Sequence, residues 1–86
     1  MRRRTMSNTF GRNIKQLRGN NTIRKVAKGI GISHTYLHTL ENGADPRSNK
    51  RVSPSVDTLY KIASFYDVDI YKLFEWLITD FKEDTQ

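Results

Sequence analysis

The chain has 86 residues, no cysteine, 36% apolar residues and a formal net charge of +6. That length accommodates one small domain. The composition excludes a disulfide framework, a thiolate nucleophile and a cysteine-type zinc site, and no apolar run approaches the roughly 18 residues of a membrane helix. The charge is unevenly spread. Residues 1–51 hold twelve Lys/Arg against Glu41 and Asp45, a net of +10, whereas residues 52–86 hold three Lys against seven acids, a net of −4. The first part should seek polyanions and the second should have another duty. A domain this small buries only about 60–65% of its unfolded surface. A large substrate pocket is not expected, and self-association would add stability.

In chain order, residues 1–6 read as a flexible basic arm carrying Arg2, Arg3 and Arg4. No long apolar stretch follows, so the arm does not read as a secretory signal. Ser7 or Asn8 is the expected N-cap of a first helix running to about Arg18, with Phe10, Ile14 and Leu17 on one face. Gly19-Asn20-Asn21 ends it. Thr22 is a good N-cap for a second helix, in which Ile23, Val26, Ala27 and Ile30 point inward and Arg24, Lys25 and Lys28 point outward. Gly31 stops that helix. Ser33 caps a third, which turns Leu37 and Leu40 inward and ends at Asn42-Gly43. Residues 43–55 form a polar loop with two prolines, long for a compact domain and therefore a candidate for function. Ser55 caps a fourth helix with Val56, Leu59, Ile62, Ala63 and Tyr66 inward. Asp67-Val68-Asp69 makes a turn, and Asp69 caps a fifth helix from Ile70 to about Lys82. The domain proper is thus 7–82, with 83–86 an acidic tail. No run of strict alternation is long enough for a strand. Five helices with short connections make an all-α fold.

Residues 22–43 carry the informative pattern. Two helices that cross steeply through a tight turn need a small residue at the close approach, a glycine in the turn and apolar anchors on both. Ala27, Gly31 and the set Val26, Ile30, Ile32, Leu37 and Leu40 meet those needs. What the third helix leaves exposed is His34, Thr35, His38 and Thr39, hydrogen-bonding side chains on one stripe. A helix presented this way within a basic half-chain fits the major groove, where base edges offer distinguishable donors and acceptors. The basic loop residues Arg47, Lys50 and Arg51 read as phosphate or minor-groove contacts beside it.

Other chemistries fare poorly. His34 and His38, with Glu41 on the same face, are an incomplete metal set, because the chain has no further histidine and zinc sites want three or four protein ligands. No metal or other cofactor is expected. Ser33, His34 and an aspartate do not form a relay when they neighbour one another on a helix, so no enzymatic activity is expected. The fifth helix carries Ile70, Leu73, Phe74, Leu77, Ile78 and Phe81 on a face about 140° wide, with Trp76 off it. Phe74, Trp76, Leu77, Ile78 and Phe81 are the expected seam of a homodimer.

The ordered set Ile14-Lys-Gln-Leu-Arg18, Val26-Ala27, Gly31-Ile-Ser33, Tyr36-Leu37, Leu40-Glu-Asn-Gly43, Pro54-Ser55, Leu59-Tyr-Lys-Ile-Ala63 and the Asp67-to-Leu73 turn resembles the phage repressor and Cro-type helix-turn-helix family, also called the Xre family. The resemblance covers residues 10–74. It implies a compact lambda-repressor-like fold with the helix-turn-helix at helices 2 and 3. It implies base contacts from His34, Thr35 and Thr39, with His38 adjacent, and a phosphate contact from Ser33. It also implies an ion pair between Arg18 and Glu41. The whole phosphate-facing set then reads Thr22, Arg24, Ser33, Tyr36, Arg47, Lys50 and Arg51. In two respects the chain departs from the family. Ile23 stands where a glutamine often reaches a phosphate, and the Arg18-to-Thr22 connection is about two residues short.

The resulting expectation is a sequence-specific regulator of transcription that binds double-stranded DNA, a repressor acting as a homodimer on a palindromic operator. Its expected setting is the cytoplasm, in a prokaryotic, phage or mobile-element context, with no membrane partner. A second reading is an antitoxin-like interaction protein whose main partner is another protein and whose DNA binding is autoregulatory.

Overall fold

The computed structural model describes residues 7–44 and 50–84. Arg2, Arg3, Arg4 and Arg47 lie outside the described residues. Five helices follow in order: α1 Thr9–Arg18, α2 Ile23–Ile30, α3 His34–Asn42, α4 Val56–Tyr66 and α5 Ile70–Asp84. Among the described residues the only extended pairing is an isolated antiparallel bridge, Ala44 to Arg51. The fold is all-α.

Local chemistry sets three of the helix starts. The hydroxyls of Thr22, Ser33 and Ser55 accept from the N–H groups of Lys25, Tyr36 and Thr58, each three residues on. Each such cap satisfies an N–H that the helix itself leaves without a partner, worth about 1 kcal/mol. Asp69 does the same for α5, its Oδ1 accepting from Tyr71 N at 2.9 Å. Between α2 and α3, Gly31 takes φ +98°, a left-handed value that any side chain would strain. It lets the chain reverse within the three residues that separate the two helices.

The start of α1 is built differently from the expectation. Asn8 occupies the cap position, but its side chain makes no cap bond and instead donates from Nδ2 to the Glu41 carbonyl at 2.8 Å. The cap comes from the far end of the chain. Asp80 of α5 accepts from Thr9 N at 2.7 Å, Phe10 N at 3.0 Å and the Ser7 hydroxyl at 2.7 Å. A carboxylate at a helix N-terminus is favoured by both the free N–H groups and the helix dipole.

The core joins Phe10 and Ile14 of α1, Val26, Ala27 and Ile30 of α2, Leu37 and Leu40 of α3, Leu59, Ile62 and Ala63 of α4, and Leu73 and Leu77 of α5. The α3 helix packs on α1 and α2, and α5 packs on α1 and α4. Each therefore keeps an outer face. Gly11 lets α1 approach the end of α3, since a Cβ there would strike Asn8 and the Glu41 carbonyl.

Some inward assignments are corrected. Leu17 and Val56 are exposed rather than buried, and Thr58 takes the buried place in the first turn of α4. Both stand in the terminal turn of their helix, where periodicity alone overextends the apolar face. The fifth helix continues to Asp84 rather than ending near Lys82, so the expected acidic tail begins inside it.

Candidate nucleic-acid interface

The α3 helix is held from behind and left open in front. Leu37 and Leu40 are buried. Glu41 is buried as well, and its carboxylate takes a two-pronged bond from Arg18, Nε to Oε2 at 2.7 Å and Nη2 to Oε1 at 3.0 Å. This paired geometry orients both groups as well as neutralising them. The bond to Glu41 holds the Arg18 guanidinium above its usual basicity, and the nearby carboxylate charge adds to the effect, against a smaller opposing cost of burial. The same cluster includes Tyr66, whose hydroxyl is buried and unpaired among the described residues. Burial pushes that phenol above its ordinary value, and the Glu41 charge adds to it, partly opposed by Arg18. A negative charge that would otherwise repel DNA is thus locked inside, at the junction of α1 and α3.

The open face of α3 carries His34, Thr35 and His38, all exposed, with Thr39 partly so. The Thr39 hydroxyl donates to the Thr35 carbonyl at 3.0 Å. Asn42, not singled out from the sequence, belongs to the same stripe. It is exposed, and its Nδ2 lies 3.4 Å from the His38 ring nitrogens. The 100° helical step puts it between His38 and Thr35. In the sequence, Asn42 reads only as part of the Asn-Gly stop signal, which hid it.

The same part of the chain exposes the cations Arg24, Lys25 and Lys28 of α2, Arg12 and Lys15 of α1, and Lys50. Neither α2 nor α3 has an acid in its first turn. Both N-termini therefore keep their positive dipole ends, which suits an anion. Thr22, Arg24 and Ser33, placed in the phosphate set, are exposed at these two starts. Tyr36 is half-buried against the core, as is Ile23.

Arg51 is the clear departure. Its guanidinium faces Asp80, Nη1 to Oδ2 at 3.8 Å, and Nη2 donates to the Ser7 carbonyl. The side chain is only 10% exposed. The phosphate assignment is corrected: Arg51 serves the fold, tying α5 to the residues just before α1. Burial alone would raise the Asp80 carboxyl, but bonds from Phe10 N, the Ser7 hydroxyl and Thr9 N outweigh it and hold the group below its ordinary range.

The expected dimer seam also changes. Leu77 belongs to the core at 6% exposure, and Trp76 is half-buried on the core flank. Of the expected set Ile78 at 52% and Phe81 at 44% are exposed and Phe74 is half-buried, and Tyr71, not in that set, is exposed on the same helix. A shallow hollow lined by Tyr60, Ala63, Ser64, Asp67, Val68 and Ile70 lies where α4 meets α5. Among the described residues, no group of three His, Asp or Glu is placed to hold a metal, and no helix is long and apolar enough to cross a membrane.

Comparison with curated proteins and with solved structures gave no match. A family model described as a helix-turn-helix domain matches residues 11–79, which spans α2 and α3 with their supporting helices. A DNA-binding regulator is the function this suggests, and the chain belongs to the helix-turn-helix domain family.

Proposed function

We propose that the protein is a sequence-specific transcriptional regulator of the phage repressor and Cro-type, a repressor that binds a two-fold operator as a homodimer in the cytoplasm. One observation carries the reading. The third helix presents His34, Thr35, His38, Thr39 and Asn42 as a continuous hydrogen-bonding stripe, while its own acid, Glu41, is neutralised inside by Arg18. A merely solvated helix would have no need to remove that charge. In the proposal α3 lies in the major groove. Thr22, Ser33, Arg24, Lys25 and Lys28 meet the flanking phosphates, supplying affinity while α3 supplies choice. The role is one of binding, with no catalytic step and no metal or cofactor.

Dimerisation is supported by the outer face of α5. Tyr71, Phe74, Ile78 and Phe81 recur at i, i+3, i+7 and i+10, the spacing of a helix-to-helix seam. A symmetric dimer would set two recognition helices on half-sites about 34–36 Å apart, one turn of DNA.

Selection of bound duplexes from random DNA tests this reading. The expected result is one motif with two-fold symmetry and half-sites one turn apart. Recovery of a random pool would overturn the reading, and recovery of an asymmetric single site would overturn the dimer.

A further inference from the structure

The two threonines of the α3 stripe sit one turn apart and are chemically unlike. Thr39 gives its only hydroxyl proton to the Thr35 carbonyl, at 3.0 Å. A threonine hydroxyl has one donor and two acceptor positions, so the bond leaves Thr39 without a donor for anything outside the helix. Among the described residues the Thr35 hydroxyl has no such partner and keeps its donor. In a helix threonine divides between two rotamers. The bond to Thr35 selects one of them, which fixes where the methyl of Thr39 points. What Thr39 offers outward is therefore a methyl group and oxygen lone pairs.

Base edges sort cleanly against that offer. In the major groove an A·T pair shows a methyl on thymine and an amine on adenine, whereas a G·C pair shows one amine and two acceptors. A side chain with no free proton gains nothing from the guanine acceptors. Its oxygen can accept from the amine of adenine or of cytosine alike, so what separates the two pairs is the thymine methyl, on which its own methyl can pack. We propose that Thr39 is a specificity-determining residue that selects an A·T pair through packing of its methyl on the thymine methyl, rather than as a hydrogen-bond donor. The inference rests on the reading of α3 as the base-contacting helix and adds what one of its residues recognises.

The test uses the full chain and the site recovered by selection. Each thymine of that site is replaced in turn by deoxyuridine, which removes the methyl and nothing else. The affinity of wild type, Thr39→Val and Thr39→Ser is then measured on each duplex. Thr39→Val keeps the methyl and removes the hydroxyl; Thr39→Ser does the reverse. Wild type should lose about threefold to fivefold at one thymine per half-site, the scale of one buried methyl. Thr39→Val should keep that loss and Thr39→Ser should abolish it. Thermal melts of both variants check that each is folded. A serine variant that discriminates like wild type while the valine variant does not would overturn the proposal. So would a wild type indifferent to every methyl. If wild type instead binds the selected and scrambled duplexes alike, the failure lies with the DNA-reading function itself.

Discussion

The α3 and α5 helices are both amphipathic, both lie against α1, and both keep one face open. They differ in what the open face carries. The α3 helix shows hydrogen-bonding side chains and follows the exposed cations of α2 in the chain, and its one acid is buried on Arg18. The α5 helix shows Tyr71, Ile78 and Phe81 in the acidic half of the chain. Its buried acid, Asp80, is held by the first backbone groups of α1 and by Arg51. The inward faces of the two helices are interchangeable in kind. The outward faces are not, and they divide the labour: one suits a polyanion with readable edges, the other an apolar partner.

The largest effect that would sharpen this contrast is on folding. Asp80→Ala removes the carboxylate that faces the Arg51 guanidinium and accepts from two α1 N–H groups, and should cost about 3–5 kcal/mol of stability, read by denaturant unfolding. A loss under 1 kcal/mol would remove the link between the two helices. The same carboxylate predicts a pH dependence. Its folded-state pKa lies below the ordinary 3.8. Its contribution is therefore fully present well above 3.8, and it is lost as the pH falls through the depressed folded value. Relative to Asp80→Asn, the wild-type melting temperature should stand highest near neutrality and the gap should close in acid. A gap that widens in acid would reverse the sign of the shift.

Next in size is the seam. Ile78→Asp places a charge at the centre of the proposed dimer face and should weaken self-association by about 2–4 kcal/mol, the range of a central interface residue. Sedimentation should show monomers with an unchanged helical spectrum. A variant that remains dimeric would move the interface elsewhere, the α4 face with Val56 and Tyr60 being the alternative apolar surface.

Smaller changes probe α3 and its surroundings. Thr35→Ala should relax base choice by about 1–3 kcal/mol at one position, with stability altered by no more than about 0.5 kcal/mol. Arg24→Ala should weaken all duplexes alike and reduce the slope of log affinity against log salt by about one. If both variants behave identically on selected and random DNA, the division between reading and anchoring residues fails.

Much of this architecture is legible from residue patterns. The caps at Thr22, Ser33 and Ser55, the reversal at Gly31 and the buried sets of α2 and α3 all follow from short-range rules, because each involves residues within one turn of one another. The stripe on α3 is legible for the same reason. Asn42 could have been found by the same helical step, had its place in a stop signal not obscured it.

The roles of Asp80 and Arg51 are another matter. By composition one is an ordinary acid on a helix and the other an ordinary cation in a basic loop. Only packing brings Asp80 to the start of α1, more than 60 residues away in the chain, and Arg51 to Asp80. The seam was likewise visible only as an apolar helix. Which of its residues face the core was settled by where α1 and α4 lie. Sequence by itself determined the helices, the caps of α2 to α5 and the charge asymmetry, since these depend on near neighbours and on composition. The tertiary structure decided which charges are spent inside and which remain outside, because that depends on contacts between segments that no local pattern encodes.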